Sequence, residues 1–304
     1  MQYFSSLISA RDQIDPRTLL IGNFDGVHLG HRRLIERALD YKGPLAALTF
    51  DPHPLEVIAP NYRLGKLSLL HERVERLHHH GVEGVIVLPF TRDFASKTAN
   101  AFLDEIARTL DLDAVVIGEA FRFGSGRSGT IQNLETALIP RGVSVCVVPH
   151  FTIDGVIVSS TKIRQFLLEG DVVQAQHFLG RPYIIEGTVG HGLGIGQKMG
   201  FPTANVRTKQ LIPSNGVYAG TVTIEEHAFP AVISVGSRES IAPGLPREVE
   251  VHVIGENMNL YDQVLLVAFE HRIRSQSIFP SREELTRAIA LDIVTAKDLW
   301  IEHD

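Results

Sequence analysis

The chain of 304 residues is 44% hydrophobic and 21% charged, proportions that exclude a disordered or fibrous protein and fit about two domains. Its 29 Lys and Arg against 35 Asp and Glu leave a formal charge of −6. That is the wrong sign for gripping a phosphate backbone, so nucleic acid is not an expected partner.

The N-terminal segment Met1–Asp15 has neither the basic nor the apolar part of a signal peptide. Apolar runs such as Val264–Phe269 are far shorter than the ~18 residues of a membrane helix. The expectation is a soluble cytoplasmic protein with no membrane partner. From there the first part of the chain alternates short apolar runs with amphipathic ones. Thr18–Gly22, Leu45–Phe50, Val85–Pro89, Ala114–Gly118 and Val143–Pro149 read as strands covered on both faces. Cys146, the single cysteine, lies in the last of these and reads as a small buried hydrophobe, with no disulfide or cysteine-based zinc site to join. Helices are expected over His31–Tyr41, Ser68–His80 and Asn100–Leu110, which together predict a doubly wound parallel α/β sheet. The run His78–His80 reads as a solvated helix end, because adjacent helical residues point ~100° apart and do not converge on one ion.

Two short helices follow, Thr161–Glu169 and Asp171–Leu179, closed by Gly170 and Gly180. The rhythm then changes. Tyr183–Val189, Gly216–Ile224, Ala231–Val235, Glu248–Ile254 and Gln263–Phe269 are closely spaced β-like runs, which predict an antiparallel barrel or sandwich. Ser281-Arg-Glu-Glu284 is a capping-box pattern opening a last helix with Leu285, Ile289 and Ile293 on one face. The boundary is placed at residue 182, giving domains 1–182 and 183–304.

Four segments of the first domain carry chemistry. Leu20-Ile-Gly-Asn-Phe-Asp-Gly-Val-His-Leu-Gly-His31 sits between the first strand and first helix. Gly22, Gly26 and Gly30 permit close approach of backbone to a ligand. A helix N-terminus offers unpaired N–H groups to phosphate, and His28 and His31 add side-chain donors. Asn23, Phe24 and Asp25 belong to the same loop. Ser159-Ser-Thr-Lys-Ile-Arg164 offers hydroxyls and one Arg at a second helix start; its plain reading is ordinary N-capping by Ser160 or Thr161, its functional one a second phosphate clamp with Arg164. Thr49-Phe-Asp-Pro-His-Pro54, with Asp51 and His53, follows the second strand. Gly118-Glu-Ala-Phe-Arg-Phe-Gly-Ser-Gly-Arg127 follows the fourth. Both lie where doubly wound sheets place ligand loops. Phe121 and Phe123 are candidates to flank a planar ring and Arg122 and Arg127 to hold phosphate; aromatic packing with surface arginines is the alternative.

In the second domain, Gly190-His-Gly-Leu-Gly-Ile-Gly-Gln-Lys-Met-Gly-Phe-Pro-Thr-Ala-Asn205 matches neither the P-loop nor the dinucleotide fingerprint. It reads as a flap whose amides, including those of Gly192, Gly194 and Gly196, face phosphate. Thr203 and Asn205 offer oxygens that suit Mg²⁺. In Glu248-Val-Glu-Val-His252 the polar residues alternate onto one strand face, and a carboxylate there is a candidate base for an alcohol. A solvated polar face is the alternative.

These motifs, in this order and over nearly the whole chain, resemble the bacterial bifunctional riboflavin kinase/FMN adenylyltransferases (FAD synthetases). The family patterns are G-N-F-D-G-x-H-x-G-H, T-F-D-P-H-P, G-x-D-F-R-F-G and S-S-T-x-I-R, matched except that Ala120 stands where the family has Asp. The kinase signature G-F-P-T-A-N falls on Gly200–Asn205, with Phe201 and Pro202 in it, and the family's V-E-V-H places its catalytic Glu on Glu250. Ser234–Ser240 and Gly255–Asp262 depart from the family pattern. The resemblance implies phosphorylation of riboflavin by ATP, then adenylylation of FMN to FAD with release of pyrophosphate. It implies Mg²⁺ as cofactor, and that His28, His31, Ser160, Thr161 and Arg164 bind the ATP phosphates. An alternative keeps adenylyl transfer and makes the barrel a non-catalytic flavin-binding or regulatory module. Another keeps nucleotidyl transfer but changes the acceptor, against which the appended barrel argues.

Overall fold

In the computed structural model, which describes residues 3–191, 200–236, 247–256 and 258–301, the alternating first part becomes a parallel sheet wrapped by helices. Its elements are α1 (Leu7–Ile14), β1 (Thr18–Ile21), α2 (Leu29–Ala38), β2 (Leu45–Asp51), α3 (Pro54–Ile58), α4 (Leu70–His79), β3 (Gly84–Pro89), α5 (Arg92–Ser96), α6 (Ala99–Thr109), β4 (Ala114–Gly118), α7 (Ile131–Leu138) and β5 (Ser144–Val148). The strand order is β3-β2-β1-β4-β5, every pair parallel. All four residues of β1 are buried, because successive side chains enter opposite layers. Leu19 and Ile21 pack with Phe102, Leu103 and Leu134 on one face; Leu20 packs with Ile35, Val74 and Leu77 on the other. Cys146 joins the second layer partly buried rather than fully so, because β5 is an edge strand.

The order reverses between β1 and β4, so the crevice beyond their carboxyl ends is the switch point of the sheet. The loops that follow these strands are those from Gly22 and from Glu119.

A small antiparallel hairpin, β6 (Thr152–Ile153) and β7 (Val156–Ile157), leads to α8 (Ser160–Glu169) and α9 (Val172–Leu179). Asp171 caps α9 through Gln174 N–H, and Gly180 ends it at φ 74°. The second part forms β8 (Tyr183–Gly190), β9 (Ala204–Arg207), β10 (Gly216–Ile224), β11 (His227–Gly236), β12 (Glu248–Val253), β13 (Val264–Arg274) and α10 (Arg282–Ile301). The six strands close into an antiparallel barrel, β10-β11-β12-β9-β8-β13. Closure removes the exposed edges an open sheet would present.

Tyr183, Tyr218 and Phe269 are fully buried, the last two edge to face with centroids 5.4 Å apart. Ser281 caps α10 through Glu284 N–H, as the capping pattern predicts. Ile293 and Ala296 then cover Val217, Ala219 and Val232. Buried Asp292 holds Arg274 through two hydrogen bonds of 2.9 and 2.8 Å.

The chain divides into two compact units, residues 1–64 with 68–160 and residues 65–67 with 161–304. The change of sequence pattern lies at 182. The intervening α8 and α9 fall with the barrel, since Leu167 O accepts from Ser214 N–H and α9 packs on β8 and β13.

Candidate active sites

The loop after β1 is shaped by three left-handed residues, Phe24 (φ 52°), Gly26 (φ 83°) and Val27 (φ 41°). Only glycine adopts that region without strain. Phe24 and Val27 are held there by their side chains, 0% and 1% exposed in the α2-side core. The helix then begins at Leu29, two residues before the expected His31. His28 is its N-cap, and its Nδ1 accepts from His31 N–H at 3.3 Å. An imidazole here does what Ser or Asp usually does. Because Nδ1 accepts, the neutral ring of His28 carries its proton on Nε2.

The rings of His28 and His31 stack with centroids 3.6 Å apart, and Phe24 meets His31 edge-on at 5.2 Å. Burial, then the neighbouring His28 and Arg73, holds His31 well below its ordinary pKa near 6.5. It is therefore neutral at pH 7. Its buried Nδ1 has no hydrogen-bond partner among the described residues. Gly30 is required by space: a Cβ there would lie 3.1 Å from His28 Cε1 and 3.2 Å from Val158 O.

Buried polar groups fix this loop. Asp25, 4% exposed, accepts from Ser68 N–H at 3.0 Å and its hydroxyl at 3.2 Å, and Gly26 N–H donates to Ser68 Oγ. Ser160 Oγ donates to Asp25 O at 2.9 Å, so the first residue of α8 is tied to the histidine loop. Arg73, 4% exposed on α4, donates to Asn23 O at 2.8 Å and to Thr49 Oγ1 at 3.3 Å. Thr49 Oγ1 also donates to Asn23 O, and Asp51 Oδ1 lies 3.7 Å from the guanidinium. Arg73 and Ser68 are site residues that the sequence reading missed. Arg73 precedes the core positions Val74 and Leu77 of an amphipathic helix, where an Arg reads as surface.

The remaining first-domain candidates divide. His53 caps α3, with Nδ1 accepting from Leu55 N–H while Glu56 accepts from His53 N–H. Phe121 and Phe123 do not flank an open slot. They stack on each other with centroids 5.4 Å apart, and Phe123, 8% exposed, packs on Phe102. A ring inserted between them would need about 7 Å, twice a van der Waals contact of ~3.5 Å. Phe121 keeps a partly exposed face; Arg122 and Arg127 are exposed. Ser159 lies just before α8 and is half-buried, Thr161 is exposed, and Arg164 donates to Gly65 O at 2.7 Å within the second unit.

In the barrel, strand register assembles the candidates. Glu250 on β12 pairs directly with Asn205 on β9 and with Ser234 on β11. Directly paired residues share a face, and Ser234 pairs in turn with Val217, which lies in the core cluster of α10. Glu250 and His252 thus sit on the outer face, while Val249, Val251 and Val253 fill the interior. Asn205 Oδ1 is buried with no hydrogen-bond partner among the described residues. Phe201 meets the His252 ring edge-on at 6.0 Å, and Pro202 O accepts from His252 Nδ1 at 2.8 Å. Gly192, Gly194 and Gly196 lie outside the described residues.

The FAD synthetase family model matches residues 11–162 and the riboflavin kinase model residues 179–300. The bifunctional riboflavin kinase/FMN adenylyltransferase of Escherichia coli K12 is 37% identical over 93% of this chain and 92% of its own. That of Haemophilus influenzae is 37% identical over 98% of each. The chain belongs to this family. A solved Streptococcus pneumoniae chain described as a macrolide-efflux protein superposes on 94% of this one and 96% of itself, with TM-score 0.86 and 28% identity. In the present chain, no described helix is long and apolar enough to cross a membrane. For a member of the riboflavin kinase/FMN adenylyltransferase family, the two halves separate the motifs cleanly: the histidine loop falls in the first family model and Thr203, Asn205 and Glu250 in the second.

Proposed function

We propose that this chain phosphorylates riboflavin to FMN with ATP in its barrel and adenylylates FMN to FAD in its α/β domain. Residues 1–182 carry the second reaction and 183–304 the first. Cytoplasmic location is part of this reading. The observation that carries the kinase half is the register that sets Glu250 opposite Asn205; the match of the barrel to the riboflavin kinase model weighs against a non-catalytic module.

In the barrel, a ribityl hydroxyl oxygen attacks the γ-phosphorus of ATP. Glu250 accepts the hydroxyl proton, the new P–O bond forms, and the bond to the bridging oxygen breaks to release ADP. The orphaned Asn205 Oδ1 and the Thr203 hydroxyl fit a hard cation. These two oxygens would hold Mg²⁺, which would supply neutralisation of phosphate charge. Phe201 and Pro202 shape the approach to that pair.

In the α/β domain, an FMN phosphate oxygen attacks the α-phosphorus of a second ATP in line. The bond to the bridging oxygen of the leaving pyrophosphate breaks. The reaction needs no nucleophile from the protein, so positioning and charge stabilisation dominate. Neutral His28 and His31 and the N-terminal amides of α2 face the phosphates. Ser160, bonded to Asp25 O, stands with them, and Asn23, Asp25 and Gly26 fix the loop. Asp51, His53, Phe121, Arg122 and Arg127 border the flavin nucleotide, while Phe123 packs in the core against Phe121 and Phe102.

Incubation with riboflavin, ATP and Mg²⁺, followed by chromatographic identification of the flavins, tests both halves. FMN and FAD are expected; FAD from supplied FMN without FMN from riboflavin would leave the barrel non-catalytic.

A further inference from the structure

We propose that His252 is a positioning residue of the kinase site, fixing the Pro202 carbonyl so that Thr203 and Asn205 are presented to Glu250. This rests on the kinase reading above.

The main-chain ladder between β12 and β9 pairs Val249 with Val206, Glu250 with Asn205 and Val251 with Ala204, and ends there. Two residues earlier in the chain stands Pro202, which has no N–H to extend a ladder. At this point the side chain of His252 takes over, with Nδ1 2.8 Å from Pro202 O. A carbonyl only accepts, so Nδ1 is the donor. The Phe201 ring packs edge-on to the same imidazole, centroids 6.0 Å apart at 87°. One side chain therefore contacts two consecutive residues immediately before Thr203.

The arm is rigid at its base. Val249, Val251 and Val253 anchor β12 in the barrel at 0%, 1% and 6% exposure. His252 follows Glu250 by two residues on the same strand face, and Asn205 lies across from Glu250. The base and the metal-facing oxygens are thus held from one strand: Glu250 directly, Thr203 and Asn205 through the ladder on one side and the imidazole bond on the other. Gly200, at φ 84°, turns the chain just upstream. A tether downstream of that turn limits how far residues 201–203 can swing.

The test uses the full chain with His252→Ala, His252→Asn and His252→Gln. The side-chain amide nitrogen of Asn reaches the place of Nδ1, whereas that of Gln extends to the place of Nε2. FMN formation is measured against Mg·ATP at saturating riboflavin, and FAD formation from supplied FMN is measured on the same preparations. The Ala and Gln variants should raise KM for Mg·ATP by about two- to tenfold, the net worth of one hydrogen bond to a carbonyl that water can take up in its place. The Asn variant should stay near wild type, with FAD formation from FMN unchanged throughout. A wild-type KM in His252→Gln, or an Asn variant no better than Gln, overturns the proposal. If His252→Ala fails to fold, the Asn–Gln comparison still decides. Wild-type protein that forms no FMN overturns the kinase reading itself, a result separable from all of these.

Discussion

The two halves of the molecule build their candidate phosphate sites by different means. In the α/β half, the loop from Gly22 to His31 is locked by groups that are themselves buried: Asp25 on Ser68, Arg73 on Asn23 O and Thr49, and His28 on the first turn of α2. In the barrel half, the candidates stand on a partly exposed strand face, and their alignment comes from which residue of β9 pairs with which of β12. A buried polar network costs much if broken and fixes one geometry. A ladder register fixes side-chain facing over its length but ends where its hydrogen bonds end. The first site is therefore the more preorganised, and the second leaves an oxygen of Asn205 waiting for a partner.

The sharpest way to separate the halves is Glu250→Gln, which keeps the shape of the side chain and removes the proposed base. FMN formation should fall by about 10²–10⁴, while adenylylation of supplied FMN persists. A larger loss in Glu248→Gln would show that the working register is displaced by two residues along β12. Next comes the double replacement His28→Ala with His31→Ala. FAD formation from FMN should fall by about 10²–10³, the usual loss for a donor aimed at developing charge, with FMN formation retained. Circular dichroism must show an intact fold, because His28 also caps α2.

Arg73→Met probes the network itself. It deletes two hydrogen bonds and leaves Asn23 O with the Thr49 hydroxyl. A loss of about 1–3 kcal/mol in stability is expected in denaturant unfolding, together with lower FAD formation and unchanged FMN formation. Stability equal to wild type would mean that the loop is set without it.

The parallel sheet was legible because Leu19, Leu20 and Ile21 are covered on both faces and so form a continuous apolar run. The histidine loop was legible because glycine spacing and strand–helix position are local properties. Other features depend on distant partners. Arg73 is buried because Asn23 and Thr49 meet it, which α4 alone does not reveal. Ala204–Arg207 forms a strand from four residues next to a glycine- and proline-rich run, and it is held between β8 and β12, the latter distant in the sequence. The helices α3 and α5, five residues each, are too short for an apolar stripe to announce them. The pair Phe121 and Phe123 shows the converse error: aromatic spacing suggested a slot, and the core claimed one of the rings.

Thr203→Val and Asn205→Asp sharpen the description of the barrel site. Thr203→Val removes an oxygen at similar volume, and Asn205→Asp adds charge at the oxygen that lacks a partner. Both should move the Mg²⁺ concentration for half-maximal FMN formation by about tenfold, in opposite directions, with less change in riboflavin affinity. Superimposable Mg²⁺ curves would make this segment a structural turn.

The smallest expected effect is in the pH dependence of stability, and it tests whether the first site is as desolvated as its geometry indicates. Burial holds the folded pKa of His31 well below 6.5. The unfolded chain takes up a proton near that pH, so below it the unfolded state binds more protons than the folded one. His31 therefore favours the folded state fully above pH 6.5, and its contribution is lost as pH falls from there toward the depressed folded value. One proton gives a slope of at most ~1.4 kcal/mol per pH unit. His31→Gln does not titrate, so the stability difference between wild type and variant should change across pH 6.5 to 5 and stay level from 7 to 8. Denaturant unfolding at matched ionic strength measures it. A difference that is level across the whole range would place His31 in a solvated position, and the contrast between a preorganised buried site and a register-built one would then rest on Asp25, Arg73 and the His28 cap.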